Sequence, residues 1–515
     1  MSGSGRMIRN ILTLGLWTLV SRGAGLARDL MMANYLGAGA VADAFNVAFS
    51  LPNMFRRFFA EGAFNQAFVP IYSKKLQIDE ADAETFAQDA FAGLSAILLA
   101  LVLLGTLAMP GLVWAMASGF VGDERFDLAV SFGRITFCYI FFISLFAMLA
   151  GVLNAHGRFA EAGFVPVLMN LVFIAAMWLA VWMGWDMGTT LVWTVPITGI
   201  AQLAFTWRAA ARVGFVPQFR LPHMTPDLRR LMITAGPAML AGGVVQINLL
   251  VSRQVASGTE GAISWLVYAD HLYQLPLGVV AIAVGTVLLP ELSRKLANRD
   301  PVGGQEAFNR GTEFALALTL PSAMGLMVLS HPIIQVIYQR GAFDAFATAN
   351  TALALAIYAA GLPAFVLQKV LQPLFFARED TRSPFRFAVW SMVTNIAIAV
   401  GLLPLIGFAA AAVATSLSAW IMVGQLWWGA RNMGPEARFD DRILSRLPRI
   451  LLACTAMVVV IWAGAMALQP WLQSHGWRYP ALAGLIGFGI FIYFASGFVF
   501  GAFRLAELKG LRRQR

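Results

Sequence analysis

The sequence predicts an all-α polytopic membrane protein with about fourteen transmembrane helices. Three observations support this fold class: a low charge content, a succession of long apolar segments, and basic residues that alternate between the connections. Of the 515 residues, 59% are hydrophobic and only 12% are charged, whereas soluble domains carry about 25% charged residues. A soluble chain of this length needs a polar surface that this composition cannot supply, so the surface must face lipid.

The apolar segments are long enough to cross a bilayer. A transmembrane helix needs about 20 predominantly apolar residues. Several segments contain Pro or Gly, which is typical of bent helices that line a cavity. The first is too long for a cleaved signal peptide, carries charge and lacks a small-residue cleavage site. The predicted spans are residues 10–36, 41–73, 85–115, 128–154, 159–183, 188–208, 232–253, 263–293, 308–337, 346–376, 385–404, 408–430, 447–468 and 480–503.

The basic residues of the connections indicate the orientation. Both termini and every second connection are rich in Lys and Arg, whereas connections 37–41 and 184–189 contain neither. Single arginines, Arg125, Arg340 and Arg478, lie in the other sparse connections. By the positive-inside rule, both termini are predicted to be cytoplasmic in an inner membrane. The net charge of +10 therefore does not indicate nucleic-acid binding, because the cations lie in short loops between apolar segments.

An internal repeat predicts two similar lobes. The pattern P-x-x-S-[KR]-K-L occurs at residues 70–76 and 290–296, and each copy closes a long helix that contains Leu-Pro. Asn170 and Asn395 lie in similar helices at nearly the same offset. Two parallel six-helix lobes, related by a pseudo-two-fold axis along the membrane normal, would place a substrate between them. The predicted division is an N-lobe at 1–215, a C-lobe at 216–434, and helices thirteen and fourteen with a tail at 435–515.

Charged residues within the spans form the candidate substrate site. Charge at mid-membrane is costly and usually faces a cavity or a partner. One interpretation is internal pairing, since Arg57 and Glu61 are four residues apart on a helix. The other is anion binding, because arginine is in excess in helices one and two and planar guanidinium suits phosphate. The candidates are Arg22, Arg28, Asp29, Asp43, Arg56, Arg57, Glu61, Arg253, Asp270, His271 and Lys369.

The sequence contains no signature of an enzyme. It has no H-E-x-x-H, no G-x-S-x-G and no P-loop, so metalloprotease, hydrolase and nucleotide-hydrolysis chemistry find no support. Cys138 and Cys454 both lie in apolar segments and provide neither a disulfide framework nor metal-ligand spacing. No cofactor or metal is predicted. A coupling ion or the membrane potential could drive transport, and the sequence does not distinguish them.

Two specific motifs resemble the MurJ/MviN family of bacterial lipid II flippases, within a larger exporter superfamily. Residues 21–29 match S-R-x-x-G-x-x-R-D, and residues 51–64 match L-P-N-x-x-R-R-x-x-A-E-G-A-F. Further similarity covers 264–293 and the stretch from Lys369 to Asp380, so the resemblance extends over essentially the whole chain. It implies a transporter of peptidoglycan biosynthesis, and hence of cell-wall biogenesis and cell shape, in the bacterial inner membrane.

The resemblance also implies a mechanism. Lipid II would pass from the cytoplasmic to the periplasmic leaflet by alternating access, its diphosphate held by cavity arginines and its polyprenyl tail in a groove formed by helices thirteen and fourteen. Its partners would be lipid II and membrane lipids, and contacts with peptidoglycan-synthesis or divisome proteins stay open. Two alternatives remain: an exporter of another polyprenyl-diphosphate-linked glycan, and a multidrug exporter.

One position departs from the family pattern. The family usually has Y-A-D-R-L in helix eight, whereas residues 268–272 read Y-A-D-H-L. His271 is not permanently charged at neutral pH, so the cavity would lose a fixed cation there. Arg253, near the end of helix seven, could supply the missing charge. It could equally extend its guanidinium to the periplasmic surface of the membrane.

Overall fold

A computed structural model of the chain describes residues 3–56, 63–298, 300–474 and 476–503. These ranges form nineteen α-helices and contain no β-strand. The helices are α1 (Gly3–Leu36), α2 (Ala40–Arg56), α3 (Ala63–Ile78), α4 (Glu80–Leu107), α5 (Met109–Met116), α6 (Glu124–Thr136), α7 (Tyr139–Ala155), α8 (Phe159–Met183), α9 (Met187–Ala211), α10 (Pro226–Ala256), α11 (Ala262–Ala297), α12 (Pro301–Val328), α13 (Ser330–Tyr338), α14 (Ala345–Phe376), α15 (Arg382–Ile406), α16 (Ala409–Ala430), α17 (Asp441–Ala467), α18 (Gln469–Gln473) and α19 (Arg478–Val499).

The predicted all-α polytopic fold is confirmed. Within the described residues, each of the fourteen predicted spans lies on one helix or on two consecutive helices. Within the described ranges, ten segments are long and apolar enough to cross a membrane. The predicted spans outside this set lie on α1, α2 with α3, α10 and α11, which are the spans of positions one, two, seven and eight.

Local sequence explains where the helices begin and end. Aspartates cap the first turns of several helices, as when Asp186 accepts the amide of Thr189 at 2.7 Å and Asp440 accepts that of Ile443 at 2.8 Å. Pro110 lies in the first turn of α5, where its missing N–H costs no hydrogen bond. Gly184 closes α8 in the left-handed region, with φ of 69°, which glycine adopts without strain.

The chain forms two compact units: residues 1–264 with 340–343, and residues 265–339 with 344–515. In the first unit α1 packs on α8, α2 on α6, and α9 on α7 and α8. In the second, α14 and α16 pack together and α12 contacts both α14 and α17. The predicted lobe boundaries at 215/216 and 434/435 were drawn from sequence repeats, whereas the two units are defined by contacts within each. The division into lobes therefore stays a prediction.

The connection between α9 and α10 lies along α4 in the first unit. Gln88 donates to the carbonyl of Val216 at 2.7 Å and accepts the amide of Gln218 at 3.0 Å. Arg220 Nη2 lies 2.6 Å from Asp89 Oδ1. These contacts hold a long irregular segment against a helix, which satisfies backbone groups that would otherwise lack partners.

Candidate functional site

The charged side chains of α1 lie next to α8. Arg28 donates to Asp29 Oδ1 from Nε at 3.1 Å and from Nη2 at 2.8 Å. Its guanidinium also lies 5.8 Å from the centre of the Phe173 ring of α8. Asn170 of α8 donates to the carbonyl of Ser21 at 3.0 Å, so half-buried Arg22 follows a residue that contacts α8. The predicted cations Arg22 and Arg28 therefore lie on the part of α1 that packs against α8.

Asp43 is completely enclosed in the first unit. Its carboxylate accepts the amide of Gly261 at 2.7 Å, and the amide and hydroxyl of Ser264 at 2.9 and 2.7 Å. Arg125 Nη1 lies 3.8 Å away. The carboxylate thus caps the N-terminus of α11, where exposed N–H groups and the helix dipole favour an anion. In this conformation Asp43 faces no open cavity, and its predicted contact with substrate stays a prediction.

Further hydrogen bonds surround this carboxylate. Asn46 Nδ2 donates to Ser264 Oγ at 3.0 Å, and Arg253 Nη1 donates to the carbonyl of Asn46 at 3.2 Å. Arg125 Nη1 donates to the carbonyl of Ser257 at 3.2 Å. Together these residues tie α2 to the ends of α10 and α11. We call them the Asp43 network, which consists of Asp43, Asn46, Arg125, Arg253, Ser257 and Ser264.

Backbone segments approach closely beside this network. The amide of Gly119 donates to Ser257 Oγ at 3.0 Å, and a Cβ on Gly119 would lie 2.6 Å from the backbone of Gly258. The amide of Ala342 donates to the carbonyl of Asn34 at 2.9 Å. A Cβ on Gly37, which has φ of 70°, would lie 2.5 Å from the oxygen of Ala342. Only glycine permits these approaches. These close contacts join the α5–α6 connection to the α10–α11 connection, and the α1–α2 connection to the α13–α14 connection. All four connections are poor in basic residues.

Three predicted residues belong to the second unit. Asp270 of α11 accepts a short hydrogen bond from Gln274 and another from Tyr273. The Tyr273 ring packs on Tyr358 of α14 at 5.2 Å. His271 is half-buried, and Lys369 of α14 is exposed. Asp270 is therefore surrounded by polar and aromatic side chains, and its predicted contact with substrate stays a prediction.

The remaining candidates lie at the end of α2. Arg56 is half-buried in the last turn of this helix. Arg57 and Glu61 lie outside the described residues, so their predicted pairing stays a prediction. The predicted set is thus divided, with Arg22, Arg28, Asp29, Asp43, Arg56 and Arg253 in the first unit and Asp270, His271 and Lys369 in the second.

Sequence reasoning missed Arg125. It was treated as a single cation in a sparse connection, yet its side chain is buried and contacts Asp123 at 2.6 Å, Asp43, and the Phe120 ring at 4.5 Å. An arginine in a connection where the positive-inside rule disfavours one was an available signal. Asn46, Ser257 and Ser264 gave no comparable signal, because their partners are distant in sequence.

The last two long helices are attached to α12, α17 by ion pairs and α19 by a hydrogen bond. Glu313 of α12 lies 2.7 Å from Arg310 and 3.2 Å from Arg442 of α17, and also pairs with Arg446 of α17. Tyr493 of α19 donates to the carbonyl of Ala317 at 2.6 Å. Side chains from α17 and α19 thus fix this helix pair to one element of the second unit.

A multi-pass helical fold with ionisable side chains inside its predicted spans is typical of a membrane transporter. The family model described as Lipid II flippase MurJ matches residues 32–478. The chain belongs to the MurJ family of lipid II flippases, which are transporters and not enzymes.

The similarity to MurJ relatives and to a solved MurJ structure extends over most or nearly all of this chain. The chain is 42% identical to a MurJ protein of Rhizobium meliloti, covering 98% of this chain and 96% of that protein. It is 35% identical to the lipid II flippase MurJ of Burkholderia cenocepacia over 83% and 84% of the two chains. A solved lipid II flippase MurJ in an inward closed conformation is 27% identical, with TM-score 0.79, and covers 95% of this chain and 98% of that one.

A more distant structure shares the fold. An inward-facing multidrug transporter of the MATE family gives a TM-score of 0.68 at 12% identity, covering 82% of this chain and 98% of that one. At this identity the similarity concerns the path of the chain and not the substrate.

Proposed function

We propose that this protein moves lipid II from the cytoplasmic to the periplasmic leaflet by alternating access, with the diphosphate held by arginines of α1 and α2. The observation that supports this most strongly is the near full-length match to lipid II flippases together with arginines inside the predicted spans. Lipid II presents a diphosphate, and guanidinium groups bind phosphate oxygens through two parallel hydrogen bonds.

The contacts of the acidic residues support a cationic site. Asp43 accepts hydrogen bonds from Gly261 and Ser264. Its carboxylate therefore stabilises the start of α11 and not the arginines of α1. Asp29 pairs with Arg28. A diphosphate that displaces Asp29 from Arg28 would gain a bidentate contact with a side chain already positioned beside α8.

Alternating access needs a contact that is made in one state and broken in the other. The Asp43 network is suited to this role, because it ties α2 to the α10–α11 turn at the predicted periplasmic ends. Breaking it exposes a charged group, and hydrogen bonds to charged groups are worth about 1.5–3 kcal/mol each. Substrate could shift the equilibrium only by binding the two states differently.

The polyprenyl tail requires an apolar surface beside the polar site. We propose that α17 and α19 supply it, with both termini of the chain in the cytoplasm. Large apolar residues of this pair are strongly exposed, including Trp462 at 56% and Phe491 at 63%, as expected of a surface in contact with lipid. No cofactor is proposed, and either an ion gradient or the membrane potential would drive turnover.

Depletion in the native bacterium tests the substrate. Lipid II should accumulate in the cytoplasmic leaflet when the protein is removed, and wild-type protein should reverse this. Lipid-linked precursors are extracted and measured by mass spectrometry. Accumulation of a different polyprenyl-diphosphate glycan, with lipid II unchanged, would assign the protein to that glycan instead.

A further inference from the structure

A shallow groove lies on the surface of the first unit between α7 and the second half of α9. Its volume is about 320 Å³, at the lower end of the size range of small-molecule sites. Ile200, on its outer edge, is 52% exposed within a helix apolar enough to span the membrane. The lining residues are Phe142, Ile200, Leu203, Ala204, Trp207 and Arg208.

Helix packing explains why the groove begins where it does. A Cβ on Gly199 would lie 2.8 Å from Cβ of Phe142 and 2.9 Å from the Tyr139 ring, so α7 and α9 touch at this glycine. From Ile200 to Arg208 the helix rises about 12 Å, and the wall changes from aliphatic to Trp207 and then to a cation. The groove therefore has an apolar end and a charged end.

Arg208, at the end of the groove, is exposed. Within the described ranges its side chain forms no ion pair, whereas nearby Arg158 pairs with Glu161 at 3.1 Å and Arg220 with Asp89 at 2.6 Å. Trp207 is held beside it by edge and tilted contacts with Phe91 and Phe219, at 5.7 and 5.6 Å. Tryptophan and arginine at the end of an apolar span are typical of the headgroup level of a membrane.

We propose that this groove binds one anionic phospholipid, with an acyl chain along Phe142 and Leu203 and the headgroup phosphate at Arg208. A phospholipid supplies both required parts, an apolar chain and an anion, at the separation that the groove presents. It is also the molecule that surrounds this face of the protein. Basic residues between helices at the membrane surface bind anionic headgroups in this way.

Lipid retention tests the charged end. The protein is placed in nanodiscs of phosphatidylglycerol and phosphatidylcholine, released, and weighed by native mass spectrometry. Wild type should retain one phosphatidylglycerol, and Arg208→Ala should retain it about tenfold less, the effect of losing one contact with a charged group. Arg212→Ala, an exposed arginine four residues further along, should behave as wild type.

A second variant tests the apolar end. Ala204→Trp places a bulky ring in the groove and should abolish retention, whereas Val181→Trp, at a 49% exposed position of α8, should not. Equal retention by wild type, Arg208→Ala and Ala204→Trp would overturn the proposal. So would a retained polyprenyl phosphate in protein taken from native membranes. Lipid retention is measured without transport, so this result does not depend on the substrate that the protein moves.

Discussion

At the scale of single residues, the charged side chains differ in how many hydrogen bonds and ring contacts they make with other residues of the protein. Asp43 is fully buried and accepts three hydrogen bonds from residues of the α10–α11 turn and the start of α11. Arg28 is held by a neighbouring carboxylate and an aromatic ring. A cation held this way loses little side-chain entropy when an anion binds, which favours a precise substrate site.

Arginine substitutions test the proposed diphosphate contact. Arg22→Ala, Arg28→Ala and Arg56→Ala should each abolish complementation of a depleted strain, because a lost buried phosphate contact costs on the order of 2–5 kcal/mol. The corresponding lysine variants should restore growth only partly, since lysine cannot form the bidentate contact. Growth is compared at equal protein levels in the membrane. Normal growth of an alanine variant would remove that residue from the site.

Asp43→Asn tests the Asp43 network. The amide keeps one acceptor oxygen but loses the charge, so the start of α11 should open more often, by about 2 kcal/mol or roughly thirtyfold. Hydrogen exchange of the Gly261 and Ser264 amides should accelerate accordingly. Asp186→Asn, which alters the cap of α9, is the matched control and should affect only residues near 189. Unchanged exchange at Gly261 would show that the charge does not hold this turn.

Arg253 and His271 test the departure from the family pattern. Arg253 donates to the carbonyl of Asn46, and His271 stands where the family usually has arginine. If Arg253 supplies the cavity charge, Arg253→Ala should severely impair complementation and an added His271→Arg should restore part of it. Equal growth of wild type and Arg253→Ala, at matched expression, would favour the interpretation that this side chain only reaches the membrane surface.

At the scale of helices, ion pairs near the predicted cytoplasmic ends join elements that are distant in sequence. Lys75 at the end of α3 contacts Asp82 of α4 at 2.6 Å and Asp227 of α10 at 2.9 Å. Hydrogen bonds, first with Asp82 and then with Asp227, raise the pKa of Lys75. The stabilisation contributed by the Lys75 ammonium is fully present at neutral pH and is lost as the pH rises through that raised pKa.

Glu313 holds a different junction, that of α12 with α17. Glu313→Gln should leave Arg310, Arg442 and Arg446 without their shared carboxylate. Because the Glu313–Arg446 pair is largely buried, we expect a destabilisation of about 3 kcal/mol. Thermal unfolding in detergent and protease cleavage of the 431–440 connection measure it. Glu306→Gln, about two turns earlier and exposed, should change neither. If both variants unfold alike, the ion pairs do not anchor the C-terminal helices.

At the scale of the whole molecule, the sequence predicted the spans because the signal is local. Twenty apolar residues form a membrane helix whatever surrounds them, so all fourteen segments coincide with helices. The Asp43 network could not be predicted, because it joins residues 218 and 221 positions apart.

The orientation is a property of the whole chain and is tested as such. In a variant lacking Cys138 and Cys454, a cysteine at Trp185 should react with a membrane-impermeant maleimide added outside the cell. One at Gln514 should react only after the membrane is permeabilised. Labelling of residue 514 from outside would reverse the predicted placement of the termini.

The buried carboxylate of Asp43 also has a consequence for how the chain is made. The ribosome completes α2 long before it reaches Gly261, and at about 5–20 residues per second the delay is roughly 10–45 seconds. Throughout this interval the newly inserted hairpin carries an acid whose final donors do not yet exist. Biogenesis must therefore keep this part of the nascent protein hydrated or sheltered by the insertion machinery until the eighth span arrives.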